Sequence, residues 1–169
     1  MWFCPNYLQF DASNKLNRED FMSNAAIAPP AYEEDLVLWA EHQAGLIREH
    51  RFAQLDIDNL LDELEYIVSS RKNALRSRLR VLLLHLLKCE YQPLLRSTSW
   101  VSTIITQRRE IEQLIEENPS FQRLLEPFAQ MQFRKAVHDA AMETGLPPAV
   151  FAPELPYTIE ELLDHSFIP

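Results

Sequence analysis

Apolar residues recur every three or four positions through the middle of this chain, a spacing that places them on one face of an α-helix. The stripe consists of Leu60, Leu64, Ile67, Leu75, Leu79, Leu82 and Leu86, with Arg71 as its polar member. Asp56 precedes the stripe as a candidate N-cap, and Gln92-Pro93 should end it because proline disfavours helical geometry at the residue before it. The pattern predicts one helix of roughly 50 Å at 1.5 Å per residue, with any bend at residues 69–73.

Shorter helical patterns flank this long helix, and only 2 glycines in 169 residues argue against tight β-turns. Before the long helix, the signals predict a first helix from Tyr32 to about His50. After it, they predict a third helix from Ser97 to Ile115, and a fourth from Asn118-Pro119 to Gly145 with a kink at Pro127. A last short helix is opened by the capping box Thr158 to Glu161. The sequence therefore predicts an all-α fold, a single helical bundle built on one long central helix with a short C-terminal helix.

Residues 1–30 lack a helical or strand period, although they contain several isolated aromatic residues. We expect them to form a poorly ordered N-terminal tail, followed by a helical bundle domain over residues 31–169. An internal Met22 is an alternative start to Met1, and the sequence leaves both starts open. Deletion up to Met22 should cost little stability because the tail has no amphipathic pattern to contribute to a core.

The charge balance restricts the possible partners. With 25 acidic and 16 basic residues, the net charge is −9, which makes nucleic-acid binding unlikely. The 2 cysteines match neither a disulfide framework nor a zinc pattern, and no segment is long and apolar enough to span a membrane. We therefore expect a cytoplasmic protein with no membrane association, cofactor or metal, whose partner is another protein or a second copy of itself.

Polar side chains lie within the most apolar part of the sequence, where each needs a partner. Antiparallel packing of consecutive helices is expected to bring together a candidate polar cluster, which consists of His85, Lys88, Trp100, Arg108 and His138. His85 is interpreted as a core-flanking imidazole in preference to a general base or metal ligand, and Arg108 is its expected partner. We predict no catalytic residue with this pattern.

A basic row lies on the long helix at helical spacing. It consists of Lys72, Arg76 and Arg80, which share a face and could hold phosphate, nucleic acid or an acidic partner. Intramolecular pairing with glutamates is the favoured alternative because the chain is acidic overall.

Ordered motifs along residues 32–165 resemble the bacterial domain of unknown function 29 family, which is common in cyanobacteria. The motifs are Tyr32, Asp35 and Trp39; Leu55-Asp56, Asn59-Leu60 and Glu63-Leu64-Glu65; His85-Leu86-Leu87-Lys88 with Gln92-Pro93; Ser99-Trp100, Thr103-Ile104 and Gln107-Arg108; and, more weakly, Pro119-Ser120 and Pro156-Tyr157-Thr158. Cys89, where the family often has an aromatic residue, and Pro127 depart from the pattern. The resemblance implies an all-helical fold and a small bacterial cytoplasmic protein, and it implies no activity.

Three functions remain open from the sequence. The leading hypothesis is a non-enzymatic protein interaction module, because no catalytic signature is present and acidic residues are in excess. The first alternative is an enzyme or small-ligand binder that uses His85, Trp100 and Arg108. The second alternative is nucleic-acid binding through the basic row.

Overall fold

The computed structural model describes residues 31–169, and the predicted N-terminal tail lies outside the described residues. Within residues 31–169 there is no β-strand. The α-helices are α1 (Leu36–Arg48), α2 (Ile57–Tyr91), α3 (Thr98–Glu117), α4 (Leu125–Thr144) and α5 (Ile159–Leu163). Short 3₁₀ turns occupy Phe52–Gln54, Pro93–Leu95, Pro119–Leu124 and Pro148–Val150. The predicted all-α bundle with one long helix and a short last helix is confirmed.

The chain divides into two compact units between Asp62 and Glu63. The described part of the N-terminal unit contains α1 and the first six residues of α2, and its buried side chains are Trp39, Gln43 and Leu46. The second unit contains the rest of α2 and all later helices. The assignment of residues 31–169 to a single domain stays a prediction.

The core of the second unit forms where the long apolar stripe meets the later helices. From Leu75 onward the stripe residues of α2 are fully buried, together with Ile104 and Ile111 of α3 and the small residues Ala136 and Ala140 of α4. Small side chains on α4 leave room for the leucines of α2. The periodicity therefore identified the buried face of α2 from Leu75 onward. Leu64 and Ile67, in the earlier part of the same stripe, are exposed, so the prediction of one buried stripe along the whole helix is wrong there.

Several helix ends follow the predicted local signals. Ser97 caps α3 by accepting from the Trp100 amide, and Gly145 ends α4 with a left-handed φ of 73°. Thr158 and Glu161 form the predicted capping box of α5. Helix α1 ends at Arg48, slightly before the predicted His50, which itself adopts a left-handed φ of 57°.

The predicted fourth helix is wrong in one respect. Instead of one helix from Pro119 kinked at Pro127, the chain forms a 3₁₀ turn over Pro119–Leu124 and then begins α4 at Leu125. Pro127 is therefore the third residue of α4. Amide groups in the first turn have no acceptor within their own helix, so a proline at this position removes no α-helical hydrogen bond.

Candidate functional site

Lys88 of the predicted polar cluster contacts one other member of the cluster and one glutamate in the second unit. Its side chain is buried, and its Nζ donates to Glu143 Oε2 of α4 at 2.5 Å. The same Nζ lies 4.3 Å from the centre of the Trp100 ring on α3. The ion pair and the cation–π contact both compensate Lys88 for burial. Lys88 and Trp100, two of the candidate residues, are thus in contact, whereas Glu143 was not among the candidates.

His85 lies half-buried one turn before Lys88 on α2. Its Nδ1 is 2.9 Å from the Val81 carbonyl oxygen of the same helix, so Nδ1 carries the proton and donates. Burial lowers the pKa of His85, and the Lys88 charge adds to this, while the Val81 bond and Glu143 oppose it. His85 is half-buried beside the core, but its hydrogen bond lies within its own helix and not to the third helix as predicted.

Arg108 is fully buried on α3 and contacts the last helix. Its Nε donates to the Leu162 carbonyl at 2.8 Å, and its Nη2 donates to the Glu161 carbonyl at 3.2 Å. Burial lowers the pKa of Arg108, and the charges of Asp164 and Glu112 oppose this. The predicted His85–Arg108 hydrogen bond is therefore wrong, because the hydrogen bonds of the two side chains go to different backbone carbonyls.

His138 does not join the cluster either. Its side chain is exposed on α4, where Nδ1 lies 3.7 Å from Asp139 Oδ1. The inward face of α4 is formed by Ala136 and Ala140, so the rotation of the helix turns His138 to solvent. The five candidates thus divide into a Lys88–Trp100 contact with His85 nearby, a separate Arg108 contact with α5, and an exposed His138.

A groove of the second unit lies away from the five candidate residues. A shallow groove of about 450 Å³ follows the exposed face of α3 between Arg96 and Arg109, and none of the five candidates lines it. Over residues 31–169, no three His, Cys, Asp or Glu side chains lie close enough together to hold a metal ion. Within the second unit, Lys88 and Arg108 join helices through their hydrogen bonds, Lys88 to α4 and Arg108 to α5.

The N-terminal unit contains a polar centre around Asp56. Trp39 Nε1 donates to Asp56 Oδ2 at 3.1 Å, and Asn59 Nδ2 donates to the same oxygen at 2.7 Å. Gln43 Oε1 accepts from the Asp56 amide at 2.9 Å. The Asn59 and Trp39 hydrogen bonds lower the pKa of Asp56, although desolvation opposes them. Asp56 Oδ1 accepts from the Asn59 amide at 3.4 Å, which confirms the predicted N-cap role. Gln43 was expected on the same stripe as Trp39, but its bond to Asp56 was not predicted.

Around this centre, most of the large apolar side chains of residues 31–62 are exposed. The exposed residues are Leu36, Val37, Leu38, Ile47, Phe52, Ile57 and Leu61, each with 45 to 66% of its surface accessible. Single exposed apolar residues are common, but exposed apolar side chains on both helices of one small unit are typical of a binding surface. We call these seven residues the apolar surface.

The basic row of the second unit is largely engaged within the chain. Arg80 makes a bidentate pair with Asp139, at 2.5 and 2.7 Å. Arg76 donates to Asn73 and lies 4.3 Å from the ring centre of Phe128. Two other arginines of α2 pair with glutamates of α3, Arg71 with Glu117 and Arg78 with Glu110. The favoured pairing with glutamates is confirmed for Arg71 and Arg78, while Arg80 pairs with an aspartate. Arg76 and Lys72 make no ion pair within the described residues.

Comparison with known proteins places the chain in a family. Its residues 31–168 match the sequence model of the domain of unknown function DUF29, and this span covers most of the chain. The protein belongs to this DUF29 family, as the resemblance indicated. Searches of curated proteins and of solved structures found no match. Within residues 31–169, none of the helices combines the length and the apolar character needed to cross a membrane.

Proposed function

We propose that this protein is a non-enzymatic interaction module that binds another protein through its N-terminal unit. The observation that carries the proposal is the apolar surface, whose seven exposed side chains contrast with the three buried residues Trp39, Gln43 and Leu46. Contact with a partner would remove this apolar area from water, which favours association. The cytoplasmic location expected from the sequence is part of this proposal.

The hydrogen bonds around Asp56 support the proposal because they hold the apolar surface in one geometry. Hydrogen bonds from Trp39 and Asn59 to the Asp56 carboxylate join α1 to the start of α2. Tyr32 adds an edge-on ring contact to Trp39, with ring centres 5.0 Å apart. A surface held in one geometry before binding loses less conformational entropy when the partner arrives.

The enzyme alternative has less support. Arg108 is directed at backbone carbonyls of α5 instead of a cavity, and Lys88 is paired with Glu143. The nucleic-acid alternative also has less support, because Arg80 pairs with Asp139 and leaves fewer free cations to contact phosphate.

Site-specific photo-crosslinking of the full chain in cells of its source organism tests the proposal. A photoreactive phenylalanine analogue replaces Val37, which is 66% exposed on the apolar surface, or Met142, which is 75% exposed on α4 and serves as a matched control. We expect discrete protein adducts from position 37 and none from position 142. An absence of adducts at position 37, or the same adducts at both positions, would contradict the proposed function.

A further inference from the structure

Acidic side chains outnumber basic ones far more strongly in the N-terminal unit than in the second unit. Residues 31–62 contain eight acidic and two basic side chains, a net charge of −6. Residues 63–169 contain 14 acidic and 12 basic side chains, so they are nearly balanced. The unit that exposes the apolar surface therefore carries most of the net charge of the protein.

Acidic side chains of this unit are left without basic partners. Among the described residues, Glu41, Asp58 and Asp62 are exposed and make no ion pair. The ion pair found within residues 31–62 joins Glu49 to Arg51. These three carboxylates are available to a partner.

The free carboxylates lie beside the apolar surface at helical spacing. On α2, Ile57 and Leu61 are four residues apart and share a face, and Asp58 and Asp62 form a parallel acidic row one position later. On α1, Glu41 follows Val37 by one turn on the same face. An apolar row bordered by an acidic row is complementary to a helix whose apolar row is bordered by lysine or arginine.

We propose that the occupant of the apolar surface is a basic amphipathic helix of a partner protein. This inference rests on the proposed function and names the partner's chemistry. Leucine-type side chains of the partner would cover Ile57 and Leu61, while its cations would lie beside Asp58 and Asp62. A second copy of this chain fits less well, because it would bring another unit of charge −6 against the first.

The test uses the full chain and labelled synthetic peptides of about 18 residues, long enough to form an amphipathic helix when bound. The first peptide has leucines at helical spacing with lysines elsewhere. The second keeps the leucines and replaces each lysine with glutamate, and the third scrambles the first. Fluorescence anisotropy measures each affinity at low and high salt.

We expect the leucine–lysine peptide to bind at least about tenfold more tightly than the other two, and to lose affinity at high salt because its cations are attracted to the acidic row. The double variant Glu41→Gln/Asp62→Asn should weaken binding about tenfold, as should Leu61→Gln. The matched control Glu116→Gln removes an exposed, unpaired carboxylate from α3 and should leave binding unchanged. Circular dichroism confirms that each variant is folded.

Equal binding of the lysine and glutamate peptides, or unchanged binding by the variants, would overturn the inference. So would concentration-dependent dimerisation that Leu61→Gln abolishes, because a second copy would then be the occupant. Peptide affinity that rises about tenfold on deletion of residues 1–21 would identify the chain's own N-terminal segment as the occupant instead. If position 37 still forms adducts with a different protein, the proposed function stands and only the basic-helix partner is removed. If its adducts join two copies of this chain, or if it forms none, the proposed function fails as well.

Discussion

Arg108 has no exposed surface, yet its charge is balanced by backbone carbonyls instead of a carboxylate within hydrogen-bonding distance. Its Nη1 has no hydrogen-bond partner among the described residues. Removing the side chain leaves the Leu162 and Glu161 carbonyls without their donor. We therefore expect Arg108→Ala to lower the free energy of unfolding by at least about 1–3 kcal/mol.

A double-mutant cycle with His85→Ala and Arg108→Ala measures whether the two residues act together. Because their hydrogen bonds go to separate carbonyls, the two losses should add within about 0.5 kcal/mol. Chemical denaturation of the four proteins gives the coupling energy. A coupling well above that value would mean that the two side chains share a network after all.

His85 should also make the stability depend on pH. Burial lowers its pKa in the folded protein below that of the unfolded chain, so the unfolded chain binds the proton more readily. This contribution to stability is present above the unfolded pKa of about 6.5, and it is lost as the pH falls from there through the lower pKa of the folded protein. His85→Gln should flatten the dependence over this range, as measured by denaturation at a series of pH values. An unchanged slope in the variant would contradict the assignment.

The position of Pro127 within α4 decides how much this proline changes the free energy of unfolding. In a helix interior, replacing proline with alanine would stabilise the protein by about 3 kcal/mol. In the first turn of α4 the missing amide costs little, so Pro127→Ala should change the free energy of unfolding by less than about 1 kcal/mol. Thermal or chemical denaturation distinguishes the two values. A large gain would show that the proline interrupts a continuous helix.

The helix ends and the buried face of α2 from Leu75 onward could be predicted because their signals are local. Ser97, Gly145 and the Thr158–Glu161 capping box act within a turn of their own positions. The partner of Arg108 lies 54 residues away, and the exposure of His138 depends on how α4 is rotated against its neighbours. Neither quantity is encoded in the spacing of nearby residues, so the predicted cluster was only partly correct.

At the scale of the whole molecule, charge is unevenly distributed between the acidic N-terminal unit and the nearly balanced second unit. We expect the protein not to shift duplex or single-stranded nucleic acid at physiological salt, because its α2 arginines are engaged and its net charge is −9. A gel-shift assay measures this. Salt-sensitive binding that disappears when Lys72, Arg76 and Arg80 are changed to glutamate would contradict the prediction.

The contact between Arg108 and α5 has a consequence for synthesis on the ribosome. Arg108 emerges well before Leu162, the acceptor of its Nε proton. A helix of five residues is too short to form in isolation, so α5 gains its structure by docking on α3. Until then the Arg108 guanidinium must stay in water, and the nascent second unit has a hydrated side where α5 has yet to dock. Docking of α5 on α3 covers that side, so the core of the second unit is completed only after α5 has been synthesised.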